Sequence, residues 1–268
     1  MTQEQPAPTA PAVDTTVAHS PRIWNYWLGG KDNYEVDRQV GDDFVKIFPP
    51  IVDIARSSRA FLKRAVEHLA GEVGIRQFLD IGTGLPTVDN THEVAQRVNP
   101  QARVVYVDND PVVLAHARVL LQGSTRGSTT YIDANLYDTD RILELARQTL
   151  DFSEPIALML MNILGHVPDH DRGRKIVSAL MGALAPGSHL VIADGTIDNG
   201  PFDAAIDMWN QAGSLPYTLR TAEQITEYFD GLELLEPGVV SCPFWRPAPS
   251  DVGTATHVDE VGGVGRKP

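Results

Sequence analysis

Cysteine is nearly absent: the chain holds one, Cys242. A lone thiol closes no internal disulfide, so the fold must rest on a buried core rather than on crosslinks, as suits a reducing compartment. Positive charge is also scarce, with 22 Lys and Arg against 35 Asp and Glu and a net charge of -13. That balance disfavours a groove that tracks phosphates, and nucleic acid is not an expected partner. Nowhere does the sequence run through the roughly 18 apolar residues that a membrane crossing needs. Its first residues lack the basic start and apolar core of a secretory leader, so a cytoplasmic protein without membrane contact is expected. No repeat, heptad or metal-ligand spacing occurs in it, and no metal is expected.

What is present is a chain of 268 residues, 43% hydrophobic and 21% charged, which suits one well-cored domain. Residues 1–17, MTQEQPAPTAPAVDTTV, carry too few bulky apolar side chains to offset their ordering entropy and read as a disordered tail. Residues 248–268 are rich in Gly and small polar side chains and read as a flexible C-terminal tail, with one possible strand remnant. The domain is therefore expected over 18–247, with 18–50 as an N-terminal lid. In that lid Trp24, Tyr26, Trp27 and Tyr34 crowd around Gly29-Gly30. They suit either a helix over Arg22 to Leu28 capping a core, or a segment that stacks rings on a ligand and aims Lys31, Asp32 or Asn33 into a cleft.

The rest is organised around FLDIGTGLPT, residues 78–87, and YVDND, residues 106–110. An apolar strand breaking into Gly82-Thr83-Gly84 is how a buried parallel strand ends in a tight turn whose backbone can lie against a ligand. The next strand ends at Asp108, 24 residues after Gly84, where a nucleoside-binding fold holds ribose hydroxyls. Thr87 stands where a dinucleotide loop wants its third glycine, which weighs against a pyrophosphate and for a nucleoside without phosphates.

Helical spacing over Ile51 to Ala70 predicts a helix packed on the sheet, on which Arg56 and Arg59 are either surface charges or partners of an anionic ligand group. Asn90 with Glu93 and Thr221 with Gln224 are spaced as capping boxes, and Asp110 suits an N-cap. Further strands over 129–132, 156–161 and 188–193 end in Asp133, Asn162 and Asp194; 232–235 and 239–244 read as two last strands. Strands alternating with helices require a doubly wound α/β fold: a Rossmann-like, mostly parallel, seven-stranded sheet with an antiparallel last strand. Ligands bind outside the carboxyl ends of such strands, so Asn162 and His166 fall where a reacting group would lie. His166, which titrates near neutrality, and Tyr26 in the aromatic segment are the candidate catalytic side chains. A loop histidine bonded to a main-chain carbonyl is the other account of His166.

Over residues 50–245 the chain resembles the class I S-adenosylmethionine-dependent methyltransferases. SPRIWNYWLGGKDNY, FLDIGTGLPT, VVYVDNDP, and FDGLELLEPGVV with WRP are similar to a bacterial S-adenosyl methyltransferase family long catalogued as a domain of unknown function. The resemblance implies S-adenosylmethionine as cofactor, its amino acid part held by Asp80 and the backbone of Gly82, Thr83 and Gly84. It further implies ribose hydroxyls on Asp108, adenine flanked by Asn109, its amino group on Asp133, a ring nitrogen on the Ala134 amide, and Asn162 near the methyl group. Transfer from an activated sulfonium needs chiefly in-line approach and exclusion of water. A small-molecule acceptor is expected; a nucleoside-binding regulatory protein without turnover, a nicotinamide oxidoreductase and a macromolecular acceptor are the competing readings.

Overall fold

The computed structural model describes residues 14–121, 128–197, 200–211, 215–248 and 252–268. Helices α1 (Ser20–Trp27), α2 (Glu35–Ile47) and α3 (Ile51–His68) precede the first strand, β1 (Gln77–Ile81). Strand and helix then alternate through α4 (Thr91–Val98), β2 (Arg103–Asp108), α5 (Pro111–Leu121), β3 (Ser128–Asp133), α6 (Thr139–Ala146), β4 (Ala157–Met161), α7 (His170–Gly182) and β5 (His189–Gly195). The chain finishes with α8 (Pro201–Gln211), α9 (Ala222–Thr226), β6 (Glu233–Leu234), β7 (Val240–Ser241) and β8 (Glu260–Arg266).

The strands form one sheet in the order β3-β2-β1-β4-β5-β8-β6, with β7 also pairing β8. The first five run parallel and β8 antiparallel to β5. Because side chains alternate along a strand, Leu79, Val105, Leu158 and Leu190 face a core shared with α6 and α7. Phe78, Val104, Ala157 and Val191 face the other core, shared with α3 and α4. A third cluster joins Ile23, Trp27, Phe44, Ile54, Phe202 and Trp209 of α1, α2, α3 and α8.

Local signals in the sequence translate directly at several joints. Both capping boxes form at α4 and α9, and Asp110 accepts from the Val112 amide at the start of α5, 2.7 Å. Helix α7 begins earlier than its apolar stripe, at His170, because Asp169 caps it by accepting from the Arg172 amide. Helix α2 carries no sequence expectation beyond its place in the lid segment.

The expected C-terminal tail requires correction. Residues 260–266 form β8, which pairs with β5 from His189–Arg266 to Gly195–Glu260 and is buried over all but its last residue. Its glycines are the reason it reads as a tail and also the reason it fits. A Cβ at Gly262 would lie 2.8 Å from the Phe61 ring, and one at Gly265 2.8 Å from Phe229. The sheet thus has eight strands instead of seven, since the two-residue β6 and β7 both lean on β8.

At the other end, residues 1–13 of the expected tail lie outside the described residues. The carbonyls of Asp14 and Val17 accept from the Arg22 guanidinium, so this last stretch of the expected tail is held. Among the described residues no helix is long and apolar enough to cross a membrane.

Candidate active site

The carboxyl ends of β1, β2 and β4 open into a cavity of about 700 Å³, roofed by the start of α1 and by α8. Its floor is the turn after β1. Gly82 (φ 77°) and Gly84 (φ 62°) take left-handed conformations that other residues avoid. A Cβ at Gly82 would strike Ile163 at 2.6 Å, whereas Gly84 faces open space.

The turn is locked to the second strand. Asp108 accepts from the Gly84 amide at 3.0 Å through one oxygen and from the Asp110 amide at 2.9 Å through the other. The Asn109 amide also favours its charged form, and the carboxylate keeps acceptor capacity for a hydroxyl donor. Burial raises its pKa, and the amide donors oppose that rise.

Asp80, 4% exposed, faces the α3 side and accepts from Thr91 Oγ at 2.6 Å. Burial pushes its carboxyl up to about 6, against the opposing pull of Thr91 and Arg59. Arg59 also lines the cavity, and burial lowers its pKa although Asp80 favours its charge. Among the described residues it makes no direct ion pair, so a half-buried cation and a buried carboxylate share one end of the cavity. Tyr106 and Tyr131, stacked at 4.8 Å between centroids, line the same end.

The N-terminal segment closes over this end. His19 Nδ1 lies 3.1 Å from Asp110 Oδ2, tying the cap of α1 to the end of β2, and Trp24 and Trp27 line the cavity. Arg22 and Asp37, both fully buried, pair at 2.9 Å and hold α1 on α2.

Of the sequence-predicted residues, Asp80, Gly82, Thr83, Gly84, Asp108, Asn109, Asn162 and His166 all line the cavity. Three do not. Asp133 is exposed at the end of β3 and outside the lining. The Ala134 amide already donates to the Asp108 carbonyl, 3.3 Å, so it is not free for a ring nitrogen. Tyr26 lies on the outer side of α1, two residues from Trp24 and one from Trp27, and donates to Asp42 at 2.7 Å. Nor do Lys31, Asp32 and Asn33 aim inward: Lys31 is exposed, and the Asp32 amide and the Asn33 side chain both donate to Asn25.

At the far end of the cavity, Asn162 and His166 are joined by groups to which sequence reasoning gave no role: Tyr217 in the wall, with Asp194 and Glu260 behind it. Tyr217 donates to Asp194 at the end of β5 and accepts from the Gly195 amide, 3.2 Å. Asn162, itself at φ 55°, donates to Ser58 at 2.9 Å and to Glu260 of β8 at 2.8 Å. Burial pushes Asp194 and Glu260 each up to about 7. Asp194 was legible by the strand-end rule that found Asp108; Glu260 was hidden in what read as a tail. His166 Nδ1 lies 2.8 Å from the Pro216 carbonyl, and burial lowers its pKa.

The S-adenosyl methyltransferase family profile matches residues 6–268. The chain belongs to that family. A DUF574 family protein from Streptomyces avermitilis MA-4680 is 41% identical, with 95% of this chain and 99% of that one covered at a TM-score of 0.90. A candidate methyltransferase from Thermobifida fusca YX is 40% identical, with 95% and 96% covered and a TM-score of 0.88. An O-methyltransferase family protein from Burkholderia thailandensis, 17% identical with 76% and 55% covered at 0.52, shares the fold. Among curated proteins none matches the chain.

This methyltransferase uses S-adenosylmethionine, and the site suits it. The unpaired Arg59 beside Asp80 matches a carboxylate beside an ammonium. The remaining acceptor capacity of Asp108 matches a diol, and the open face of Gly84 leaves room for main-chain contact.

Proposed function

We propose that this S-adenosylmethionine-dependent methyltransferase acts on a small-molecule acceptor held in the same cavity as its cofactor, in the cytoplasm and without nucleic acid. The observation that carries this reading is the two-ended cavity. One end is charged and built on strand termini; the other is walled by Trp27, Phe44, Phe202 and Trp209. A volume of about 700 Å³ is in the range of small-molecule sites.

The cofactor, when bound, supplies an activated methyl group on a cationic sulfur. Arg59 and Asp80 would hold its amino acid part, with the Gly82 to Gly84 backbone beneath. Asp108 would take the ribose hydroxyls and Asn109 would flank the base. The protein's further work is to align the acceptor and exclude water, which is most of what such a displacement requires. His19, roofing the cofactor end, serves the exclusion.

Calorimetric titration with S-adenosylmethionine, followed by mass spectrometry of a metabolite extract incubated with protein and cofactor, tests the proposal. Saturable binding and a metabolite heavier by one methyl group are expected. Methyl transfer only to protein or RNA in the extract would refute the small-molecule acceptor.

A further inference from the structure

We propose that the apolar end of the cavity receives a flat aromatic acceptor carrying a hydroxyl group, and that Tyr217, backed by Asp194, takes the hydroxyl proton during methyl transfer. This rests on the methyltransferase reading of the cavity and adds the chemical class of its acceptor.

The walls argue for the shape. Trp24, Trp27, Phe44, Phe202 and Trp209 converge from α1, α2 and α8, and aromatic faces and edges pair best with another ring. The polar groups at this end argue for the hydroxyl. Both donor positions of the Asn162 amide are spent on Ser58 and Glu260, and the His166 Nδ1 is spent on Pro216.

Tyr217 Oη, by contrast, donates to Asp194, lies 3.4 Å from Asn162 Oδ1, accepts one main-chain amide and has a second lone pair for a ligand in the cavity it lines. Behind it Asp194 is 2% exposed, and among the described residues its second oxygen is buried without a partner. A buried carboxylate left half-satisfied is costly unless it has work to do. Space for the tyrosine is made by glycine: a Cβ at Gly165 would lie 2.3 Å from its ring. His166 packs edge-on against that ring, centroids 5.1 Å apart, and is a positioning residue.

A neutral amine attacks without first losing a proton, whereas a hydroxyl is a poor nucleophile until its proton leaves. A proton-accepting pair at this place therefore suits an O–H acceptor. The acceptor oxygen bonds to the methyl carbon, the carbon–sulfur bond breaks with its electron pair left on sulfur, and the hydroxyl proton passes to Tyr217 Oη as Tyr217's own proton moves to Asp194. The products are a methyl ether, S-adenosylhomocysteine and a protonated Asp194, which releases its proton to solvent.

The groups facing Asp194 are Tyr217, Arg220, Glu260, Tyr228 and Cys242. Burial raises Asp194 to about 7; Arg220 opposes the rise and Glu260 adds to it. Above that pH the carboxylate draws the Tyr217 proton and leaves the phenol oxygen freer to accept from a ligand.

Equilibrium dialysis of the protein saturated with S-adenosylhomocysteine, using 2-naphthol and its ether 2-methoxynaphthalene, tests the assignment. The naphthol should be retained roughly tenfold more tightly than the ether, the scale of one buried hydrogen bond. Tyr217→Phe should erase that preference while leaving S-adenosylhomocysteine affinity unchanged. In the wild type the preference should grow from about pH 6 to about pH 8, and in Asp194→Asn it should stay flat. That profile decides the matter should Tyr217→Phe fail to fold. Equal retention of the two probes, retention of neither, or a preference that survives Tyr217→Phe overturns the proposal. Failure of the wild type to bind S-adenosylhomocysteine overturns the cofactor site itself, and the acceptor assignment with it.

Discussion

Asp108 and Arg59 are the two side chains on which recognition of the cofactor should turn, for different reasons. Asp108 is fixed by two amides, so its carboxylate is already aimed when a ligand arrives. Asp108→Ala is expected to weaken S-adenosylmethionine binding roughly ten- to hundredfold, the loss of a charge-assisted hydrogen bond of about 1.5 to 3 kcal/mol. Unchanged affinity in calorimetry would exclude Asp108 from the ribose contact. Arg59 shares one end of the cavity with Asp80 without pairing with it. Arg59→Gln should therefore weaken S-adenosylmethionine by about tenfold but leave 5′-methylthioadenosine, which lacks the amino acid part, unaffected. An equal loss for both ligands would mean that Arg59 acts on the turn and not on the carboxylate. The acidic strand ends were legible because a continuous apolar run that stops at an aspartate is a local pattern. Arg59 was not, since on helix spacing alone an arginine beside an apolar stripe reads equally well as a surface charge.

At the scale of elements, the two ends of the chain decide whether the site exists. Strand β8 brings Glu260 against Asn162 and fills the sheet beyond β5. Its glycines leave no space for substitution: Gly262→Val would drive side-chain atoms into Phe61 and Cys242. A loss of roughly 1 to 3 kcal/mol is expected from such overpacking, measured by urea denaturation. A variant of unchanged stability would show that the ring of Phe61 can move aside. Helix α1 depends on the Arg22–Asp37 pair, in which Asp37 also accepts from the amides of His19 and Tyr34. Arg22→Ala leaves a buried carboxylate without its cation and should cost about 3 to 5 kcal/mol. Limited proteolysis should then cut within the first 34 residues faster than in the wild type, and an equal rate would mean that α1 is held by its apolar face alone. Helix α1 was foreseen from its aromatic spacing; β8 was not, because three glycines in a strand look like a loop until the rings that fill them are known.

For the whole molecule the consequence is an unusual dependence on pH. Glu260 titrates at about 7 in the folded state through burial, although Asn162, Cys242 and Ser58 oppose the rise. Its unfolded value lies near the ordinary value for glutamate, about 4.3. Between those values the folded state binds the proton and the unfolded state does not, so this group's contribution is greatest below the unfolded value and declines as pH rises to the folded one. Glu260→Gln cannot titrate and keeps an acceptor for Asn162. Its melting temperature relative to wild type should climb from about pH 5 to about pH 8; a constant difference would place Glu260 in ordinary ionised form.

The amino-acid sequence by itself determined the alternation of strands and helices, the glycine turn, the caps and the acidic strand ends, because each is a property of a few neighbouring residues. Tertiary structure alone decided that β8 enters the sheet, that Ala134 and Asp133 stand apart from the cavity, and that Arg59 and Tyr217 converge on it with Asp194 behind the tyrosine. Those facts depend on which distant surfaces fit together, and packing of that kind leaves no trace in local periodicity.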